Sequence, residues 1–294
     1  EIEQSLRFND GDTAYLSRTP SSASNRRTWT FSAWVKNSSM STDDSGHASS
    51  IFEAYEDDAN RVRLYFDDGN NPLSLYCKIG GTKTMRLLTN AVYRDFSAWY
   101  HIVLAVDTTQ GTDTNRVKLY VNGEQITSFS SSIYPSQNVE HAVNNTNVHH
   151  VGARSAGSSI YAGTHFDGYM AEVNFIDGLA KVPTDFGEYG TYGEWKPIEY
   201  SGTYGTNGFY LPFKQDYTVE GFSTVLYKGT GVDETYIGGV GFQSDLTFVA
   251  RRNNAENHIW IDSVRGTNKR LLTNVADGEA TDDNIITGFT TDGF

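Results

Sequence analysis

Apolar and polar residues alternate along most of the chain, in short runs bounded by Gly, Asn, Asp and Ser. That is the pattern of half-buried strands rather than helices. Residues 28–36 place Trp29, Phe31, Ala33 and Val35 on one side and Thr28, Thr30, Ser32, Trp34 and Lys36 on the other. Residues 61–66 group Val62, Leu64 and Phe66, and residues 115–121 group Val117, Leu119 and Val121. Asn122-Gly123 follows, and then 124–129. An Asn-Gly pair between alternating runs predicts a tight hairpin, since both residues tolerate positive φ. Residues 99–106 are almost continuously apolar, as a central strand requires. Residues 166–176 set Tyr169, Ala171, Val173 and Phe175 against Met170, Glu172 and Asn174. No window supports a helix of three turns, and Pro183–Phe186 predicts one short turn opened by proline. Roughly a dozen short strands with Gly-rich turns predict an all-β chain, an antiparallel sandwich or barrel.

The pattern divides the chain in three. A closing strand near residue 176 ends a first domain, residues 1–180, of normal sandwich size. Residues 181–220 are dense in Gly and Tyr and poor in alternation. A flexible linker would lack that aromatic load, so the segment is expected to be an ordered strap. Within it, Tyr192, Trp195, Tyr204, Phe209 and Tyr210 are expected at a domain or subunit interface, with a sugar-stacking platform as the alternative. Alternation restarts near Phe222, so residues 221–294 form a second, smaller β domain. The chain begins at Glu1 and stops at Phe294 directly after Thr-Thr-Asp-Gly; a processed chain or the ordered part of a longer one is expected, with the second domain truncated.

Charge and composition narrow the chemistry. The 294 residues carry 23 Lys+Arg against 36 Asp+Glu, a formal charge of −13. Such a surface repels phosphate backbones and argues against a nucleic-acid partner. No run approaches the ~18 apolar residues of a membrane span, so no membrane insertion is expected. The single cysteine, Cys77, rules out a disulfide framework or a cysteine-built zinc site.

Three blocks carry a resemblance: 5–36 ending in TWTFSAWVK, 97–123 with Trp99-Tyr100-His101 and KLYVNG, and 166–178, FDGYMAEVNFIDG. In this order they resemble the laminin-G/concanavalin A-like lectin superfamily, which implies a jelly-roll sandwich over residues 1–180. Residues 204–213, YGTNGFYLPF, with the runs that follow resemble the rear part of tailed-phage virion proteins. The joint resemblance implies a non-enzymatic structural protein of the virion surface: a tail fibre, appendage or capsid-decoration subunit. It implies as partners other copies of this chain in a homo-trimer, other virion proteins and host glycans. A polysaccharide-degrading enzyme and a secreted cellular adhesin on the same fold remain the alternatives.

Candidate chemistry is sparse. Glucanases of this superfamily carry E-x-D-x-x-E on one strand, so that alternation aims both acids at one sugar. The nearest acids, Glu53 and Glu56, have the wrong spacing, and Glu194 and Glu199 fall on opposite strand faces. No catalytic residue is expected. The resemblance implies Ca²⁺ at the rim, with Asp67, Asp68 and Asn70 as first candidates. Asp10, Asp12, Asp43, Asp44, Asp57, Asp58 and Asp107 lie in similar clusters. Turn formation explains all of them equally well. His149 and His150 are adjacent and on a strand cannot chelate one ion. His101 is expected to hydrogen-bond inside the core. For sugar binding, an exposed ring beside planar polar groups is needed. The loops 132–150 and 157–165 supply Tyr134, Asn138, Asn144 and Tyr161, with ordinary polar loops as the competing reading.

Overall fold

The alternating runs become strands in the computed structural model, which describes residues 2, 4–39, 49–214, 221–230, 235–283 and 286–294. The chain's contacts divide it into two units, Glu1–Lys214 and Gln215–Phe294. The first opens with β1 (Leu6–Phe8), β2 (Leu16–Arg18), β3 (Thr28–Asn37), β4 (Ser49–Asp57), β5 (Asn60–Phe66), β6 (Pro72–Ile79) and β7 (Thr82–Val92). It continues with β8 (Tyr100–Asp107), β9 (Val117–Val121), β10 (Glu124–Gln125), β11 (Phe129–Ile133) and β12 (Val148–Val151). Next come β13 (Ser155–Ala156), β14 (Ser159–Ile160), β15 (Gly168–Asp177), β16 (Gly187–Tyr189), β17 (Trp195–Pro197) and β18 (Phe209–Leu211). The second unit holds β19 (Leu246–Val249), β20 (Ile259–Asp262), β21 (Lys269–Leu272) and β22 (Ala280–Thr281).

Two seven-stranded antiparallel sheets make the first unit. Sheet one runs β1-β15-β3-β8-β9-β10, with β18 also on β15; sheet two runs β11-β7-β6-β5-β4-β12-β2. Their facing sides hold one core. Sheet one contributes Trp29, Phe31, Ala33 and Val35, as the alternation predicts, with Ile102, Leu104, Val106 and Phe175, and sheet two contributes Phe52, Val62, Leu64, Leu75 and Leu87. Phe52 stacks on Phe31 at 4.8 Å and on Phe175 at 5.8 Å between ring centroids. Each such ring contributes about 1.5–3 kcal/mol by leaving water.

Period-two reasoning fails at two places, each for a physical reason. Glu172 adopts φ 49° and the register of β15 against β3 slips between Ala171 and Asn174. The bulge switches side, so Met170 joins Val173 and Phe175 in the core and Tyr169 is exposed. Asn122 and Gly123 form the expected turn, with φ of 50° and 88°. The strand after it, however, ends at Gln125, and residues 129–133 cross over to pair with β7 in sheet two.

The outward side of sheet one is covered too, which explains the almost continuous apolar run at 99–106. Val103, Ala105, Tyr120 and Ile176 pack under Phe186 and Tyr200. The covering chain passes a 3-10 turn at Pro183–Asp185 and the β16–β17 hairpin. Trp195 lies flat where glycine permits it: a Cβ on Gly187 or Gly123 would come within 2.5 or 2.9 Å of its ring. Its indole N–H donates to His101 Nδ1 at 2.9 Å. Tyr204 donates to Asn174, Phe209 stacks on Phe175, and Tyr210 donates to Glu172. Tyr192, at the hairpin tip, is 95% exposed.

The second unit is a four-stranded antiparallel sheet, β19-β20-β21-β22, over a small interior containing Ile261 and Ile286. Several of its cations pair within the unit: Arg251 with Glu256, Lys269 with Glu279, Arg270 with Asp282.

Five imidazoles in the first unit bind protons more weakly than usual, chiefly because burial disfavours their charge. His101 falls to about 3, His141 and His149 to about 4, and His150 and His165 shift the same way. Below the unfolded value near 6.5, the unfolded chain takes up protons first. Stability is therefore complete above about pH 6.5 and is lost as pH falls towards 4. Buried Glu53, shifted upward, opposes the trend. Calorimetry from pH 7.5 to 4.5 should show the first unit's melting temperature fall by about 10 °C; a flat profile would contradict it.

Candidate functional site

The strands of sheet two send one set of side chains into the core and the other outward. Cross-strand register lines the outward set into a row: Ser17, His150, Glu53, Arg63, Tyr76, Arg86 and Ile133. The neighbouring row on one side is Tyr55, Arg61, Lys78 and Lys83, and on the other Ser50, Tyr65 and Ser74. This side is arranged around rings and cations. Arg63 lies 4.1 Å above Tyr65, and Arg61 5.2 Å from the Tyr55 centroid. Lys78, Lys83 and Arg86 each stand within 6 Å of Tyr76. From the loop after β12, Arg154 covers Tyr161 at 4.3 Å. Such contacts hold guanidinium planes and rings in fixed orientation.

The face grades from buried to exposed. At its β4–β5 side Glu53 is inaccessible to solvent and Arg61 and Arg63 are 5% and 6% exposed. Glu53 accepts the Ser155 N–H, and Arg61 approaches its other oxygen at 3.7 Å. Burial pushes the Glu53 carboxyl up, against the pull of Arg63, Arg61 and Arg154. Burial also brings Arg63 down to about 10. Each partner is thus moved towards its neutral form, so the pair stands at an electrostatic cost that packing alone would not demand. At the β6–β7 side Tyr76 and Arg86 are half-buried and Lys83 is exposed. Arg86 is fixed by three partners: it donates to Tyr65 Oη, to Ser74 Oγ at 2.6 Å and to Asp67 Oδ2 at 2.8 Å.

The sequence-predicted sugar residues scatter. Tyr161 belongs to this face through Arg154. Tyr134 packs against the core, and Asn138 is exposed in a turn, its N–H on the Thr108 carbonyl. Asn144 is a correction: it is fully buried, and its amide donates to the Asn25 carbonyl and to Asp177, so no sugar hydroxyl reaches it.

The proposed calcium residues do not fit a cation. Asp67 is held by Arg86, and Asn70 Oδ1 accepts from Arg94 at 3.4 Å, so guanidiniums stand where a dication's charge would go. Asp68 is pushed up by burial and by Asp67 beside it. Among the described residues no cluster of three or more His, Cys, Asp or Glu could hold a metal. Asp57 and Asp107 accept N–H groups of their own turns, which is the turn-forming role. Asp43 and Asp44 lie outside the described residues. His149 faces inward, bonded to Asn144 N–H and the Asn147 carbonyl, while His150 turns outward beside Tyr15.

The residues that sequence reasoning missed are Arg63, Tyr65, Tyr76, Lys78, Lys83 and Arg86. The signal was present: in β5, β6 and β7 the positions that alternate with core residues include Arg61, Arg63, Tyr65, Ser74, Tyr76, Lys78 and Arg86, with no acid among them.

Comparison with known proteins follows the same division. The profile of the "Concanavalin A-like lectin/glucanases superfamily" matches residues 10–181, and that of a "Domain of unknown function (DUF7483)" matches residues 218–294. No curated protein matches. Among solved structures, a heptameric SAP-like pentraxin from Limulus polyphemus is 13% identical, with 57% of this chain and 71% of that one covered and a TM-score of 0.41. Tailspike protein 2 of bacteriophage CBA120, in its enzymatically active domain, is 14% identical at TM-score 0.43; 62% of this chain covers 26% of that one. Mouse laminin alpha1 domains LG4-5 are 11% identical, with 92% and 64% covered and a TM-score of 0.41. The first unit is thus an all-β, laminin-G-type jelly roll. Matched over more than half its length, the chain belongs to the concanavalin A-like lectin/glucanases superfamily.

Proposed function

We propose that the protein is a non-enzymatic adhesion subunit whose first unit binds carbohydrate on the outward face of sheet two. The observation that carries this reading is the arrangement of Tyr76 and Tyr161 beside fixed polar groups. A ring face stacks on the apolar face of a sugar while neighbouring donors take its hydroxyls. A non-catalytic role is supported by the state of the acids. Glycoside hydrolysis needs two carboxyl groups about 5–9.5 Å apart with free oxygens. Here Glu53 is buried among arginines, and the nearby Asp58 and Asp67 are ion-paired to Arg61 and Arg86. A glycan array tests the reading: the chain should bind at least one class of glycan, and Tyr76→Ala should weaken that binding about tenfold by removing one stacking face. An array without any signal would contradict it.

The subunit role extends to the particle surface of a tailed phage, as a fibre, appendage or decoration protein, with other virion proteins and further copies of itself as partners. This rests on the resemblance of residues 204–294 to the rear of such proteins. Self-association is supported by the second unit. There Phe248, Trp260 and Leu271 stand opposite one another across three strands, and Phe248 and Trp260 are 51% and 36% exposed. A solvent-facing apolar row of this kind is suited to a symmetric contact. Sedimentation should show a trimer that Trp260→Glu converts to monomer; a wild-type monomer at every concentration would contradict it.

A further inference from the structure

We infer that the ligand of this face is an acidic glycan, its carboxylates or sulfates held by Lys78, Lys83, Arg86 and Arg154. The inference rests on the carbohydrate reading above and adds the ligand's charge.

The lysine pair is the main argument. Lys78 and Lys83 are direct cross-strand partners, and both ammonium groups stand over one ring, 5.9 and 5.6 Å from the Tyr76 centroid. Like charges placed directly opposite on a sheet destabilise it. Neither lysine has a carboxylate within ion-pair distance among the described residues. In a chain with 36 acids against 23 cations, this pair is left uncompensated where neutralisation would have been easy. An anion bridging the two removes the repulsion.

Two further observations point the same way. Glu53 is the one carboxylate in the long cross-strand row, and it lies at the buried end of that row, away from Lys83. The accessible end therefore presents Arg86, itself paired with Asp67, beside the unpaired Lys78 and Lys83. Arg154 Nε is buried near the same end as Glu53 without a hydrogen-bond partner, so a donor there is unspent. Arg86 arrives already fixed by Tyr65, Ser74 and Asp67, which lowers the ordering cost of binding.

The test uses matched pairs on the full chain: polygalacturonate against its carboxyl-reduced form, dextran sulfate against dextran, and poly-dT. The inference predicts that a charged member binds at least tenfold more tightly than its neutral counterpart, and that the advantage shrinks between 50 and 500 mM salt. The two pairs separate carboxylate from sulfate recognition. Lys78→Gln with Lys83→Gln should cost at least tenfold in affinity while the melting temperature stays level or rises; Lys118→Gln, on sheet one, should change neither. Equal binding of charged and neutral members overturns this inference and leaves the carbohydrate reading standing. Binding of no glycan overturns both. Poly-dT binding as tightly as the best glycan overturns it in favour of a nucleic-acid ligand.

Discussion

Glu53→Ala is expected to lower the melting temperature of the Glu1–Lys214 unit by about 10 °C at pH 7. The carboxyl group is the central acceptor of a buried polar cluster: Ser155 N–H bonds to it, and Arg61, Arg63 and Arg154 surround it. Removing one member of a buried ion pair strands the others, at about 3–5 kcal/mol. For a unit of this size each kcal/mol moves the midpoint by about 2–4 °C. Glu53→Gln keeps an acceptor for Ser155 and should cost less. The combination Glu53→Leu with Arg63→Met should cost less than the two single changes added together, because contacting residues do not behave additively. Thermal unfolding by circular dichroism reads all five variants. A loss below about 2 °C for Glu53→Ala would show that the cluster does not depend on its charge.

Trp195→Ala is expected to have the second-largest effect, about 3 kcal/mol, the usual cost of deleting a large packed ring. The indole covers His101 at 5.9 Å between ring centroids, bonds its Nδ1, and fills the space that Gly123 and Gly187 leave open. Indole N–H is a donor only, so His101 Nδ1 must be the unprotonated nitrogen and Nε2 carries the hydrogen towards Ser32 Oγ. Protonating this imidazole therefore breaks the bond to Trp195 as well as burying a charge. In Trp195→Ala, water reaches the ring and its pKa should rise from about 3 towards 6.5. Its share of the acid-induced loss of stability then disappears. Trp195→Phe would keep the stacking and lose the donor. An NMR titration of the His101 ring separates these effects. An unchanged titration in Trp195→Ala would show that the hairpin does not shield the site.

Much of the sandwich was legible because its strands have one apolar side. Trp29, Phe31, Ala33 and Val35, or Val62, Leu64 and Phe66, need no more than period two to be assigned to the core. The bulge at Glu172 was not legible, since one residue in the left-handed region reverses parity without leaving a sequence mark when that residue is not glycine. The hairpin at Asn122-Gly123 was, because those two residues are chosen for the turn itself. The candidate site was hidden for a different reason. A binding face on a sheet is assembled from single positions on successive strands, none of them contiguous, and cross-strand register alone joins Glu53 to Arg63, Tyr76 and Arg86. Loops offer contiguous polar clusters, so sequence reasoning favoured Tyr134, Asn138 and Asn144. Asn144 looked like a loop amide and is a buried brace, a distinction that depends on Asn25 and Asp177 meeting it in three dimensions.

Hydrogen–deuterium exchange with the tightest-binding glycan tests the location of the site most directly. Saturating ligand should slow exchange in residues 60–66, 72–79 and 82–88 of sheet two and around residues 154–161, leaving 134–145 unchanged. Protection confined to 134–145, with sheet two exchanging as in the free protein, would contradict the account.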